Sequence, residues 1–186
     1  MRYIFGILGV IFVAILAIIL ISSRGDRPQD QSGSQKIVVS EQNNEHTSVR
    51  LTNQGRLVGE DQRRAIRVTV NETERKLEIL TGYEETVERS TSYPNTPTAY
   101  ETFLVALDKA GFSRERATVN TDERGACPLG RRYIYELMDS GEAKIHLWDT
   151  TCGSKIGTFA GDESTIRRIF QQQIPDYLAQ TKGVKL

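Results

Sequence analysis

Little in this chain of 186 residues is suited to carry chemistry: it has two cysteines, two histidines, one tryptophan and five prolines. A structural zinc site takes four Cys or His ligands. Two histidines, with the two cysteines paired to each other, leave no metal set, and no cofactor is expected. Gly153, Gly157 and Gly161 recur at regular intervals across a turn and a strand, not between a strand and a helix start, so no phosphate-binding loop is present. Lys and Arg number 24 and so do Asp and Glu. A chain with no net charge offers no field to draw in nucleic acid or an anionic membrane surface. The pairs Arg63-Arg64, Arg131-Arg132 and Arg167-Arg168 are scattered among acids and read as a mixed, solvated surface.

What the chain does have is an uncharged amino-terminal run. Residues 3–23, YIFGILGVIFVAILAIILISS, match the roughly 20 apolar residues needed to cross a hydrocarbon core. The run is longer than the roughly 7 to 15 apolar residues of a secretory signal peptide. A retained single-pass anchor is therefore expected, with the membrane as a partner through residues 3–23. Arg2 precedes the run while Arg24, Arg27 and Lys36 follow it, so the positive-inside rule alone leans toward a cytoplasmic body. The cysteine argument below points the other way and is given more weight. Residues 24–35, RGDRPQDQSGSQ, hold no large apolar side chain and read as a tether. Its Arg-Gly-Asp lies too close to the span for a large receptor and is taken as chance. The expected organisation is an anchor over 1–23, a flexible tether over 24–61 with a short strand at Ile37, Val38 and Val39, and an extracytoplasmic α+β domain over 62–186.

Within that domain, Ile66, Val68 and Val70 alternate with polar residues, as do Leu77 and Ile79, about a turn at Asn71 to Glu74. This pattern predicts a hairpin with one buried face. A weaker strand follows near residues 85–92. Thr96-Pro97 supplies a capping oxygen and a preset φ for a helix whose apolar stripe is Tyr100, Phe103, Leu104 and Leu107. Gly111 ends it, with Phe112 folding back. The second half runs alike. Tyr133, Tyr135 and Leu137 pair with Ala143, Ile145 and Leu147 about Asp139 to Glu142. A short strand is expected near residues 157–159, and then a helix capped by Asp162, with Ile166, Ile169 and Phe170 inward and Pro175 as its stop. An offset of 66 residues sets Thr96 on Asp162 and Tyr100 on Ile166, suggesting two ββ(β)α units, by duplication or by reuse of one layer scheme. The fold class expected is α+β, an antiparallel sheet with two helices on one face.

Strand pairing about the second turn sets Cys127 opposite Cys152 if both flanks stay extended, which predicts a disulfide. Closing a loop of about 25 residues contributes about 3 to 4 kcal/mol on the chain-entropy estimate. Such bridges persist outside reducing compartments. The rival reading is a cysteine nucleophile. The stretch LWDTTC, Leu147 to Cys152, at a strand end on an anchored domain resembles sortase transpeptidases, whose cysteine closes a Leu-x-Thr-Cys strand. That resemblance implies a hydrolase or transpeptidase using Cys152. Such chemistry needs a nearby histidine and a cation. His46 falls in the polar linker, His146 lies along the same strand as Cys152, and Arg167 and Arg168 fall on a helix. No catalytic residue is assigned, and no family membership is drawn from the resemblance. A triad of His146 with Asp149 and Ser140, Ser154 or Ser164 lacks the G-x-S-x-G turn that would focus it.

Alternation projects Arg132, Ile134, Lys144, His146 and Trp148 together from the second hairpin. A Trp beside cations is the composition of a binding hot spot, so this is the candidate binding face, opposed by the commoner reading of a core Trp. Asn71-Glu72-Thr73 is a glycosylation sequon at a turn. A braced inhibitor loop at residues 125–129 is a further reading supported only by the brace. The function expected is an anchored, disulfide-linked binding or assembly module for a protein or envelope partner.

Overall fold

The computed structural model describes residues 37–117, 121–153 and 156–186. The anchor and tether read at residues 1–36 lie outside the described residues. Among the described residues no helix is long and apolar enough to cross a membrane.

The first strand is a correction to the sequence reading. β1, Thr47–Gln54, falls inside the stretch expected to be linker, and it is the inner strand that joins the two halves of the sheet. It escapes a periodicity search because only Val49 and Leu51 are large and apolar. Its other face carries Arg50, Thr52 and Gln54, whose partners lie on other elements: Arg50 Nε donates to Glu136 at 2.8 Å, Thr52 Oγ1 accepts from Arg67 Nε at 3.2 Å, and Gln54 Nε2 donates to Glu85 at 2.7 Å. The short strand expected at residues 37–39 is not one either. Val39 opens a single 3-10 turn, Val39–Glu41, and is fully buried.

The remaining elements are β2 (Arg64–Val70), β3 (Glu74–Thr81), β4 (Thr86–Pro94), α1 (Pro97–Lys109), β5 (Arg132–Asp139), β6 (Glu142–Thr150), α2 (Glu163–Gln171) and a short α3 (Tyr177–Gln180). The six strands form one sheet in the order β4-β3-β2-β1-β5-β6, every neighbouring pair antiparallel. The register aligns the apolar positions into rows. Leu77, Val68, Leu51, Tyr135 and Leu147 form one; Val70, Val49, Leu137 and Ile145 belong to the next. These side chains share a core with Tyr100, Phe103, Leu104 and Leu107 of α1 and Ile166 and Phe170 of α2. The protein is therefore mixed α+β, with two main helices.

Both helix starts form as the sequence predicts. Thr96 accepts from the Ala99 amide at 3.2 Å and Asp162 from the Thr165 amide at 3.0 Å. Replacing Thr96 by Ala is expected to cost about 1 kcal/mol in a urea titration. Gly111 takes φ +79° at the end of α1, and the Phe112 amide returns to the Leu107 carbonyl at 3.0 Å. Ser140 and Gly141 both take positive φ, the mirror-image turn that suits the twist of the β5–β6 hairpin.

The repeat is incomplete. The strand expected near residues 157–159 is reduced to two isolated bridges, Asp149 to Gly157 and Glu115 to Phe159. Gly157 explains why the chain stays so close to β6: its φ is +116° and a Cβ there would overlap the Trp148 carbonyl. Phe159 is buried, its ring stacked on Tyr135 with centroids 4.0 Å apart.

Candidate functional site

Cys127 and Cys152 are joined, with Cα atoms 5.5 Å apart. The pairing is the one expected, but the geometry leading to it differs. β5 pairs with β6 in a register that runs from Arg132 opposite Thr150. Continued outward, that register sets Gly130, not Cys127, across from Cys152. The chain before Gly130 is folded, because the Gly130 amide bonds the Cys127 carbonyl at 3.1 Å and Cys127 takes φ +53°. This tight turn swings the Cys127 sulfur back over Gly130, where a Cβ would overlap it.

The bridge consumes the Cys152 thiol that a transpeptidase would need as thiolate. His146 is engaged elsewhere. Its Nδ1 lies 3.2 Å from Glu136 and its Nε2 lies 3.6 Å from Glu123. These two carboxylates, Glu123 first, raise the imidazole to about 10 against the opposing effect of burial. Burial alone would raise the Glu136 carboxyl; hydrogen bonds from His146 and Arg50 outweigh it and hold the group at about 2. Asp149 is no triad partner for this histidine. Alternation sends it to the opposite face, where Tyr135 OH donates to its Oδ2 at 3.1 Å.

The candidate binding face is aligned as read but is not open. Ile134 lies opposite Trp148 and Glu136 opposite His146. Trp148 is only 1% exposed and Ile134 only 6%. The loop at residues 121–130 covers them, with Trp148 Nε1 donating to the Thr121 carbonyl at 3.2 Å. Arg132, also buried, donates to the Glu123 carbonyl. Lys144 and His146 remain at the surface, and Lys144 pairs with Glu142 at 3.1 Å. The expected exposed Trp is thus a buried one, since a disulfide that anchors Cys127 also draws its preceding loop across the sheet.

Several residues of this face were not anticipated. Arg67 pairs with Glu85, Arg50 with Glu136, and Arg63 lies with its guanidinium carbon 4.5 Å from the Tyr83 ring centre. Cross-strand charge pairs of this kind give no periodic signal. Near the carboxyl-terminal segment, a groove of about 760 Å³ is lined by Arg56, Arg64, Arg89, Lys182 and Lys185 together with Asp61 and Glu88, with Ile79 among its apolar lining residues. Among the described residues, no group of three or more His, Cys, Asp or Glu side chains is placed to hold a metal ion.

The fold and site define a class: a disulfide-linked α+β domain built on a six-stranded antiparallel sheet. No protein-family model matches the chain, and no curated protein matches it at a significant level.

Proposed function

We propose that this chain is a single-pass membrane protein presenting its α+β domain outside the cytoplasm as a binding or assembly module. The observation that carries this reading is the Cys127–Cys152 bridge. Cys152 is exposed, and a solvent-accessible disulfide would not persist among reduced cytosolic thiols. The uncharged run at residues 3–23 supplies the anchor. The groove lined by Arg56, Arg64, Arg89, Lys182 and Lys185, against only Asp61 and Glu88, favours a partner with an acidic surface.

The test uses the full chain in sealed membrane vesicles of known orientation. Protease added outside right-side-out vesicles should remove the domain and leave a short protected fragment containing residues 3–23. Intact mass under non-reducing conditions should be lower than the reduced mass by two hydrogens. Full protection of the domain, or a mass with both thiols retained, would overturn the reading.

A further inference from the structure

Two arginines, Arg63 and Arg132, are buried at the outer face of the sheet. Arg63, just before β2, is 3% exposed, and its Nε and Nη1 are buried without a partner among the described residues. A guanidinium stays charged at any accessible pH, so it cannot escape burial by losing its proton. Arg132, itself 8% exposed, sits on the same face: it is opposite Gln54, which is opposite Ala65, two residues beyond Arg63. Burial and the charge of Arg63 both lower the Arg132 pKa, against the attraction of Glu123 and Glu85.

The carboxylates nearby are turned to other groups: Glu85 accepts from Gln54 and pairs with Arg67, Glu60 accepts the Tyr83 amide at 2.9 Å, and Glu123 lies 3.6 Å from His146 Nε2, with its Oε2 lacking a hydrogen-bond partner among the described residues. Tyr83 covers the face of the Arg63 guanidinium, so a partner for its buried Nε and Nη1 has to approach in the plane of that group. Its ring is itself 45% exposed, so the site lies one side chain below the surface.

We propose that Arg63 and Arg132 form the two positive walls of a small oxyanion site, one that takes a carboxylate or a phosphate group beneath Tyr83. The in-plane N–H groups of arginine match the oxygens of both anions. The site is separate from the basic groove, and its occupancy does not depend on which side of a membrane the domain faces.

The test titrates the full-length chain, in micelles of an uncharged maltoside detergent, with sodium phosphate or sodium acetate against sodium chloride at constant ionic strength. Trp148 is the chain's sole tryptophan. It lies on β6 two residues from Thr150, which pairs with Arg132, so its fluorescence reports on the site together with the thermal midpoint. A saturable change and a raised midpoint with phosphate or acetate, absent with chloride, are expected; which anion acts identifies the ligand group. Arg63→Gln should weaken the response at least about tenfold, the scale of one lost charge-assisted hydrogen bond. In chloride alone its midpoint should equal or exceed that of the unaltered protein, because an uncompensated charge has gone. Arg63→Lys keeps the charge without the planar donors and should weaken binding in between, which serves if the Gln variant does not fold. A response no different from chloride, or an undiminished response in both Arg63 variants, would overturn the proposal.

Discussion

Replacing Cys127 or Cys152 by alanine, singly or together, is expected to lower stability by about 3 to 4 kcal/mol, with the same loss from each single variant and no further loss in the double. The bridge joins positions separated by 25 residues, so cutting it releases loop-closure entropy into the unfolded chain whichever sulfur is removed. Equal effects distinguish a bridge from a nucleophile, for which Cys152 alone would matter. The bridge also positions the loop over Trp148. Its loss should therefore shift Trp148 emission to longer wavelength under native conditions, as the Nε1 bond to the Thr121 carbonyl loosens. Urea titrations followed by far-ultraviolet dichroism and by Trp148 fluorescence check both parts. Unequal losses from the two single variants would refute the structural role.

Asp149→Asn should stabilise the protein at neutral pH and leave it nearly unchanged in acid. Burial foremost, and then the charge of Glu163, raise the Asp149 carboxyl to about 7; Tyr135, Arg167 and Arg116 pull the other way without cancelling the effect. Among the described residues its Oδ1 is buried without a hydrogen-bond partner, and so is Arg116 Nη1. In the unfolded chain the group titrates near its ordinary value of about 3.9. Between that value and about 7 the folded state binds more protons than the unfolded state, so this group makes stability fall as pH rises across the window and adds no slope above it. At about 1.4 kcal/mol per pKa unit, the total is about 3 to 5 kcal/mol. The Asn variant keeps an acceptor for Tyr135 OH and removes the charge. The difference between the two proteins, measured in urea from pH 4.5 to 8, isolates this group from others that titrate. Glu136 acts with the opposite sign, since its lowered pKa supports the fold above the ordinary carboxylate range and the support is lost as pH falls toward about 2. His146, raised to about 10, supports the fold most fully below about 6.5 and loses that support as pH climbs through about 10. Parallel pH profiles for the two proteins would show that Asp149 is not perturbed.

These two sites differ in how far the sequence announces them. The hairpins β2–β3 and β5–β6, the caps Thr96 and Asp162 and the stop at Gly111 all follow from local pattern or turn chemistry acting over a few residues, whereas the cysteine pair is reached through a folded turn that extended pairing does not foresee. β1 does not, because half of its side chains are polar and find their partners far along the chain: Glu136 lies 86 positions beyond Arg50. Burial of Trp148 is hidden for a related reason. What covers it is a backbone carbonyl in an irregular loop, and no residue type marks that contact in advance. Arg63 carries no local sign either; only the assembled sheet shows that its Nε and Nη1 are buried without a hydrogen-bond partner among the described residues.

The place of β1 between β2 and β5 bears on the order of assembly. The meander from β1 through β4 can zip up from contacts close along the chain as synthesis proceeds. One flank of β1 must wait until β5 has been made, and during that interval its free amide and carbonyl groups offer a template to any passing strand. Conditions that stall elongation between α1 and β5 should therefore expose this chain to mispairing and clumping more than stalls at any later point.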